Sequence, residues 1–156
     1  MAQCTDSGLF ETLEAESNSI AIIVKHVAGN MRSRWTDFLT SDGEKSNRNR
    51  DTEFEAPPTT RSELLEMWEH SWELLFGALE PLSDADLTRT ITIRTEPHSV
   101  MQAINRQVAH YSYHVGQIVY LARHFAGDQW QTLTIPKKKS AEFNRQVASG
   151  EKSQRQ

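Results

Sequence analysis

Apolar positions repeat at helical spacing in three stretches of the chain. From Ser19 to about Thr40, Ile20, Val24, Val27, Met31, Trp35 and Phe38 recur at steps of three and four, the period that gathers side chains on one helical face. Asn18 or Ser19 offers a side-chain oxygen to the first turn, and the polar run "TSDGE" provides the stop. A second stripe, Leu64, Trp68, Trp72, Leu75 and Leu79, follows the capping-box pair Thr60 and Glu63 and ends near Pro81. Its two tryptophans, one turn apart, are expected in the core. The longest stripe runs from about Ser99 to Ala126, where Met101, Ile104, Val108, Tyr111, Val115, Ile118, Ala122 and Phe125 form a bundle-type seam closed by Gly127.

The intervening segments lack this period. Residues 41–58 are charged, end in two prolines and read as a long loop, either a cover over a site or a mobile connection. Residues 88–95, "TRTITIRT", alternate apolar and polar and predict a short strand with only local pairing. Residues 1–136 read as one helical domain and 137–156 as a polar tail with a short helix around Glu142 to Val147. Three long helices with little strand predict an all-α fold of antiparallel bundle type, with one apolar face left for a partner.

Composition narrows the classes. The chain has 156 residues, 37% of them hydrophobic, a net charge of −4 and a pI near 5.9. That balance argues against a nucleic-acid surface. No apolar run approaches the roughly 20 residues of a membrane span, and no secretory signal opens the chain, so a cytoplasmic protein without a membrane partner is expected. The single cysteine, Cys4, makes no internal disulfide and is expected in a loose terminus.

The chemistry concentrates in histidines. His110 and His114 are four apart, in a row beside the seam that also holds Gln107 and Gln117. Imidazoles at i and i+4 point the same way, roughly 6 Å apart at their bases, and can share one ion. His26 lies on the edge of the first apolar face, where packing of the two helices brings it opposite the pair. Two readings fit this spacing equally: a three-nitrogen metal site with an open fourth position, or three hydrogen-bonded core histidines. His70, His98 and His124 are expected in solvent, at the start of the last long helix and at its end, outside the site.

The combination of "SIAIIVKHVAGNMRSRW", "RNRDTEF", "AINRQVAHYSYHVGQIVYLA" and "WQTLTIP" resembles the DinB/YfiT-like superfamily of metalloenzymes, in a branch of uncharacterised bacterial proteins, over about residues 10 to 144. The resemblance implies a four-helix bundle in which one histidine of the second helix and an HxxxH pair of the last bind zinc or nickel. By motif these are His26, His110 and His114. It also implies a long first helix ahead of "LFETLEAES", most of which is missing here, so truncation or completion by a second copy in a homodimer is expected. A glycine expected within "IPKKKS" is missing as well.

Some members of that superfamily use small thiols such as bacillithiol or mycothiol. The resemblance therefore implies a small-molecule substrate and a metal-dependent reaction, with the ion activating either a thiol for transfer or water for hydrolysis. Asn30, one turn after His26, Gln117, about one turn after His114, and Arg106, one turn before His110, are the candidate supporting residues. Arg106 would receive a substrate carboxylate or pair with Asp51 or Glu53. The alternative from another class is a non-catalytic, stress-induced helical protein whose ion only adds folding energy.

Overall fold

The computed structural model describes residues 1–153 and is mostly helical. A short α1 (Asp6–Phe10) precedes α2 (Ile20–Trp35), α3 (Arg61–Leu79), a hairpin of β1 (Thr90–Ile93) and β2 (Glu96–Ser99), α4 (Val100–Ala126) and α5 (Ser140–Ala148). Met1–Ala126 forms one compact unit, and a second begins at Gly127.

Capping explains several of the boundaries. Ser19 accepts the amide N–H of Ile22 to start α2. Thr60 and Glu63 form the reciprocal box that starts α3. Ser99 and Gln102 do the same for α4, each side chain accepting the other's backbone N–H. Gly127, at φ +52°, turns the chain out of α4. Helix α2 ends at Trp35, earlier than the apolar period suggests, because Asp37 takes a left-handed conformation at φ +49°; Phe38 is still buried, from the turn that follows.

Helix α2 is the centre of the first unit. It packs against α3 and α4, with α1 also resting on α2 and α4. Its buried residues include Ile20, Val24, Val27 and Met31 on one side and His26, Asn30 and Arg34 on others, so burial extends well beyond the single predicted face. On α4 the buried side is rotated from the predicted seam. Val100, Ala103, Gln107, Tyr111, Ile118 and Leu121 are buried, whereas Met101, Val108 and Val115 are exposed. The reason is that α4 turns toward α2, which leaves the side carrying Met101, Val108 and Val115 outside that contact. Trp68 and Trp72 are only half-buried, correcting their assignment to the core; their rings meet edge to face at 5.5 Å.

The remaining segments are more ordered than their composition suggests. Residues 41–58 contain a 3₁₀ turn, Asp51–Phe54, that Lys25 of α2 holds through the carbonyls of Thr52 and Glu55 at 2.6 and 2.5 Å. The expected strand forms a two-stranded hairpin with Ile93 opposite Glu96, and His98 belongs to β2 rather than to α4. Cys4 is buried in a packed terminus whose Cys4 carbonyl accepts from Arg61, and burial raises its thiol pKa. His70 and His124 are exposed. In the second unit, α5 is two residues longer at the start than the predicted tail helix.

Candidate metal centre

The three histidines predicted to converge do so. Each of His26, His110 and His114 offers one ring nitrogen within 4.8 Å of the other two. The ring of His26 stands 5.4 Å from that of His110 and 4.9 Å from that of His114, both nearly perpendicular. The packing of α2 on α4 sets this approach, and the helical turn between His110 and His114 brings their Nε2 atoms to 3.2 Å.

Hydrogen bonds orient two of the rings. Nδ1 of His26 lies 2.9 Å from Oε2 of Glu53, on the 3₁₀ turn. The carboxylate only accepts, so this nitrogen donates to it, and Nε2 is the ring nitrogen left to face the group. Nδ1 of His114 is 2.8 Å from Oε1 of Gln117 and is oriented in the same way. A ring nitrogen tied to a carboxylate or amide behind it is the arrangement that fixes metal-binding imidazoles.

Glu53 is itself held on several sides. Arg48 donates from Nε to its Oε1 at 2.8 Å and from Nη2 to its Oε2 at 2.9 Å. Burial alone would raise the Glu53 carboxyl, but the bonds from His26 and Arg48 outweigh it and hold the pKa below its ordinary value. The close approach of Glu53 to α2 depends on Gly29: a Cβ there would lie 2.3 Å from its Oε1. Phe54 stacks on the other part of the site, with its ring 4.7 Å from that of His26.

The donor set fits a divalent ion. Two nitrogens, each about 2.0–2.1 Å from one tetrahedral ion, stand about 3.3 Å apart, close to the observed Nε2 separation. Burial, with smaller contributions from His114 and His26, lowers the His110 pKa to about 4, and burial also lowers that of His114. These two rings are therefore neutral near pH 7, the state that ligation requires. In the alternative of hydrogen-bonded core histidines, His110 Nε2 donates to His114 and leaves His110 Nδ1 as a buried acceptor. That atom has no hydrogen-bond partner among the described residues.

Beside His26 and His110 lies a cavity of about 280 Å³. Asn30 and Arg106 line it, and Asn30 Oδ1 accepts from the hydroxyl of Tyr111 at 3.2 Å, which in turn accepts from Trp35 Nε1 at 2.9 Å. Gln117 reaches the site through His114. Arg106 pairs with neither Asp51 nor Glu53, and has no ion-pair partner among the described residues. Arg48 and Gly29 were not among the residues expected to build the site; Glu53 was expected only as an alternative partner of Arg106, and "RNRDTEF" supplies Glu53 and Arg48, whereas Gly29 lies on α2.

The chain belongs to the family described as protein of unknown function (DUF1572), which matches residues 1–139. No curated protein and no solved structure matches the chain.

Proposed function

For this member of the DUF1572 family we propose a divalent-metal-dependent enzyme in which His26, His110 and His114 hold zinc or nickel and a fourth position accepts a small thiol or water. The observation that carries this reading is the convergence of three ring nitrogens within 4.8 Å beside an accessible cavity. Among the described residues no fourth histidine, cysteine or carboxylate joins the group, which supports an open site rather than a closed structural one. The ion, when bound, supplies a Lewis acid that favours thiolate or hydroxide at neutral pH.

The chain's own residues supply orientation. Glu53 holds the proton on His26 Nδ1, and Gln117 accepts from His114 Nδ1, so both rings aim Nε2 into the group. Asn30, with its oxygen taken by Tyr111, keeps its amide donors for a ligand in the cavity, and Arg106 adds a cation on the same wall. The fold we infer is the DinB/YfiT-like four-helix arrangement. A second copy of the chain is proposed to cover the apolar groove between α3 and α4, lined by Trp72, Leu75, Leu79, Ile104, Val108 and Val115.

Titrating 2-mercaptoethanol into the cobalt-loaded protein tests the open position. A saturable thiolate-to-cobalt absorption band is expected, lost in His110→Ala/His114→Ala. A metal spectrum indifferent to thiol and to pH would reject both forms of the enzyme reading.

A further inference from the structure

The cavity beside the histidines is unusually cationic for this protein. Its charged lining residues, apart from the histidines, are all arginines: Arg34, Arg48, Arg50, Arg94 and Arg106. They come from four separate places in the chain. Arg34 lies on α2 and Arg106 on α4. Arg48 and Arg50 belong to the loop ahead of and at the 3₁₀ turn, and Arg94 to the hairpin turn. A chain with net charge −4 has thus gathered five guanidinium groups around one small opening.

Two carboxylates answer them. Glu44 meets Arg34 at 2.9 Å, Arg48 at 3.1 Å and Arg94 at 3.4 Å, while Glu53 takes the remaining donors of Arg48. Among the described residues Arg106 has no ion-pair partner, and the side chain of Arg50 makes only a cation–π contact, 4.9 Å from the Phe54 ring centroid. Five cations against two anions leave an excess of positive charge before any metal is added. Assembling like charges in a partly enclosed space is unfavourable unless an anion offsets it, and low-dielectric walls focus the resulting field.

One buried polar atom points the same way. Arg34 lines the cavity and is 4% exposed, yet its Nε has no hydrogen-bond partner among the described residues. Buried donors are rarely left so, and an accepting ligand in the cavity is one way to satisfy this one. The arginines are also placed rather than dangling. Asp42 accepts the backbone N–H groups of Arg94 and Thr95 at 2.8 and 2.7 Å, which fixes the turn carrying Arg94. Phe54 contacts both Arg50 and His26.

We infer that this cavity binds a small oxyanion, the carboxylate or phosphate of the substrate, on Arg50, Arg94 and Arg106, with the rest of the substrate directed toward the three histidines. This deepens the metal-enzyme reading by naming its substrate class. A volume of about 280 Å³ accommodates a small metabolite rather than a polymer. The guanidinium fork suits bidentate contact with either oxyanion, which a lysine could not reproduce.

The test uses the full chain, with and without bound zinc, titrated calorimetrically with succinate and separately with inorganic phosphate. Both forms are expected to bind at least one probe saturably, and the affinity should fall as sodium chloride rises. Arg50→Gln/Arg106→Gln should weaken that binding tenfold or more with zinc content unchanged, while Arg123→Gln, an exposed change near the end of α4, should have no effect. Preference for succinate or for phosphate identifies which oxyanion the cavity takes. Because both arginines are exposed, circular dichroism should show the double variant folded. Unaltered affinity in that folded variant, or no saturable binding of either probe to the wild-type protein, overturns the inference. Loss of zinc binding in His110→Ala/His114→Ala is scored separately, so failure of the metal reading and failure of the oxyanion reading are distinguishable.

Discussion

Gly29 shows how one residue controls the site without touching it chemically. Alanine in a helix interior is ordinarily better than glycine by about 0.5–1 kcal/mol. Here its methyl would meet Glu53 Oε1 at 2.3 Å and Cδ at 2.6 Å. Gly29→Ala is therefore expected to destabilise the protein by about 1–3 kcal/mol and to weaken zinc affinity by displacing Glu53 from His26. Denaturant unfolding and competitive zinc titration measure the two effects. Losing the hydrogen bond behind a ligating imidazole ordinarily costs about 10–100-fold in metal affinity. At this scale the sequence exposed the three histidines, because helical spacing links His110 to His114 and an apolar context singles out His26. Glu53 was expected only opposite Arg106, because a loop with no period gives no sign that it stands behind His26, and Gly29 stayed hidden because its role depends on what approaches it.

The helices were legible where a cap or an apolar stripe acts locally. Ser19, the Thr60–Glu63 box and Gly127 mark ends that the structure retains. The rotation of α4 was less accessible, since Met101, Val108 and Val115 have the spacing of buried residues and their exposure depends on which helices stand nearby. The hairpin shows the converse: a local turn fastened by a distant acid. Asp42 accepts N–H groups from Glu44, Arg94 and Thr95, and although burial opposes ionisation, these bonds lower its pKa to about 2. Asp42→Ala is expected to cost about 1–3 kcal/mol through the unsatisfied turn, and amide hydrogen exchange should rise at Arg94 and Thr95. Gly116→Ala on α4, where a Cβ meets nothing within 4 Å, should instead gain about 0.5–1 kcal/mol. The contrast separates a structural tie from simple helix propensity, and both changes are measured by thermal unfolding.

Across the first unit, α2 carries both the core and the three-histidine site, so an ion bound there would couple its binding to folding. None of the helices among the described residues is long and apolar enough to cross a membrane. Met101, Val108 and Val115, together with Phe76 of α3, are exposed, and a second copy is proposed to lie over this stripe. Sedimentation should give a dimer for the wild-type chain and a folded monomer for Val108→Glu/Val115→Glu; a wild-type monomer throughout the micromolar range would remove the dimer from the account. The arginine cavity was not apparent from composition, because a net charge of −4 averages over the whole surface while the cavity collects cations from four segments.

The most direct measurement is elemental analysis of the purified chain beside His26→Ala and His110→Ala/His114→Ala. About one zinc or nickel ion per chain is expected for the wild-type protein, with less than about a tenth of that in the double variant and a marked loss in His26→Ala. A wild-type protein that takes up no stoichiometric divalent ion, or a folded double variant that retains it undiminished, would contradict the three-histidine centre.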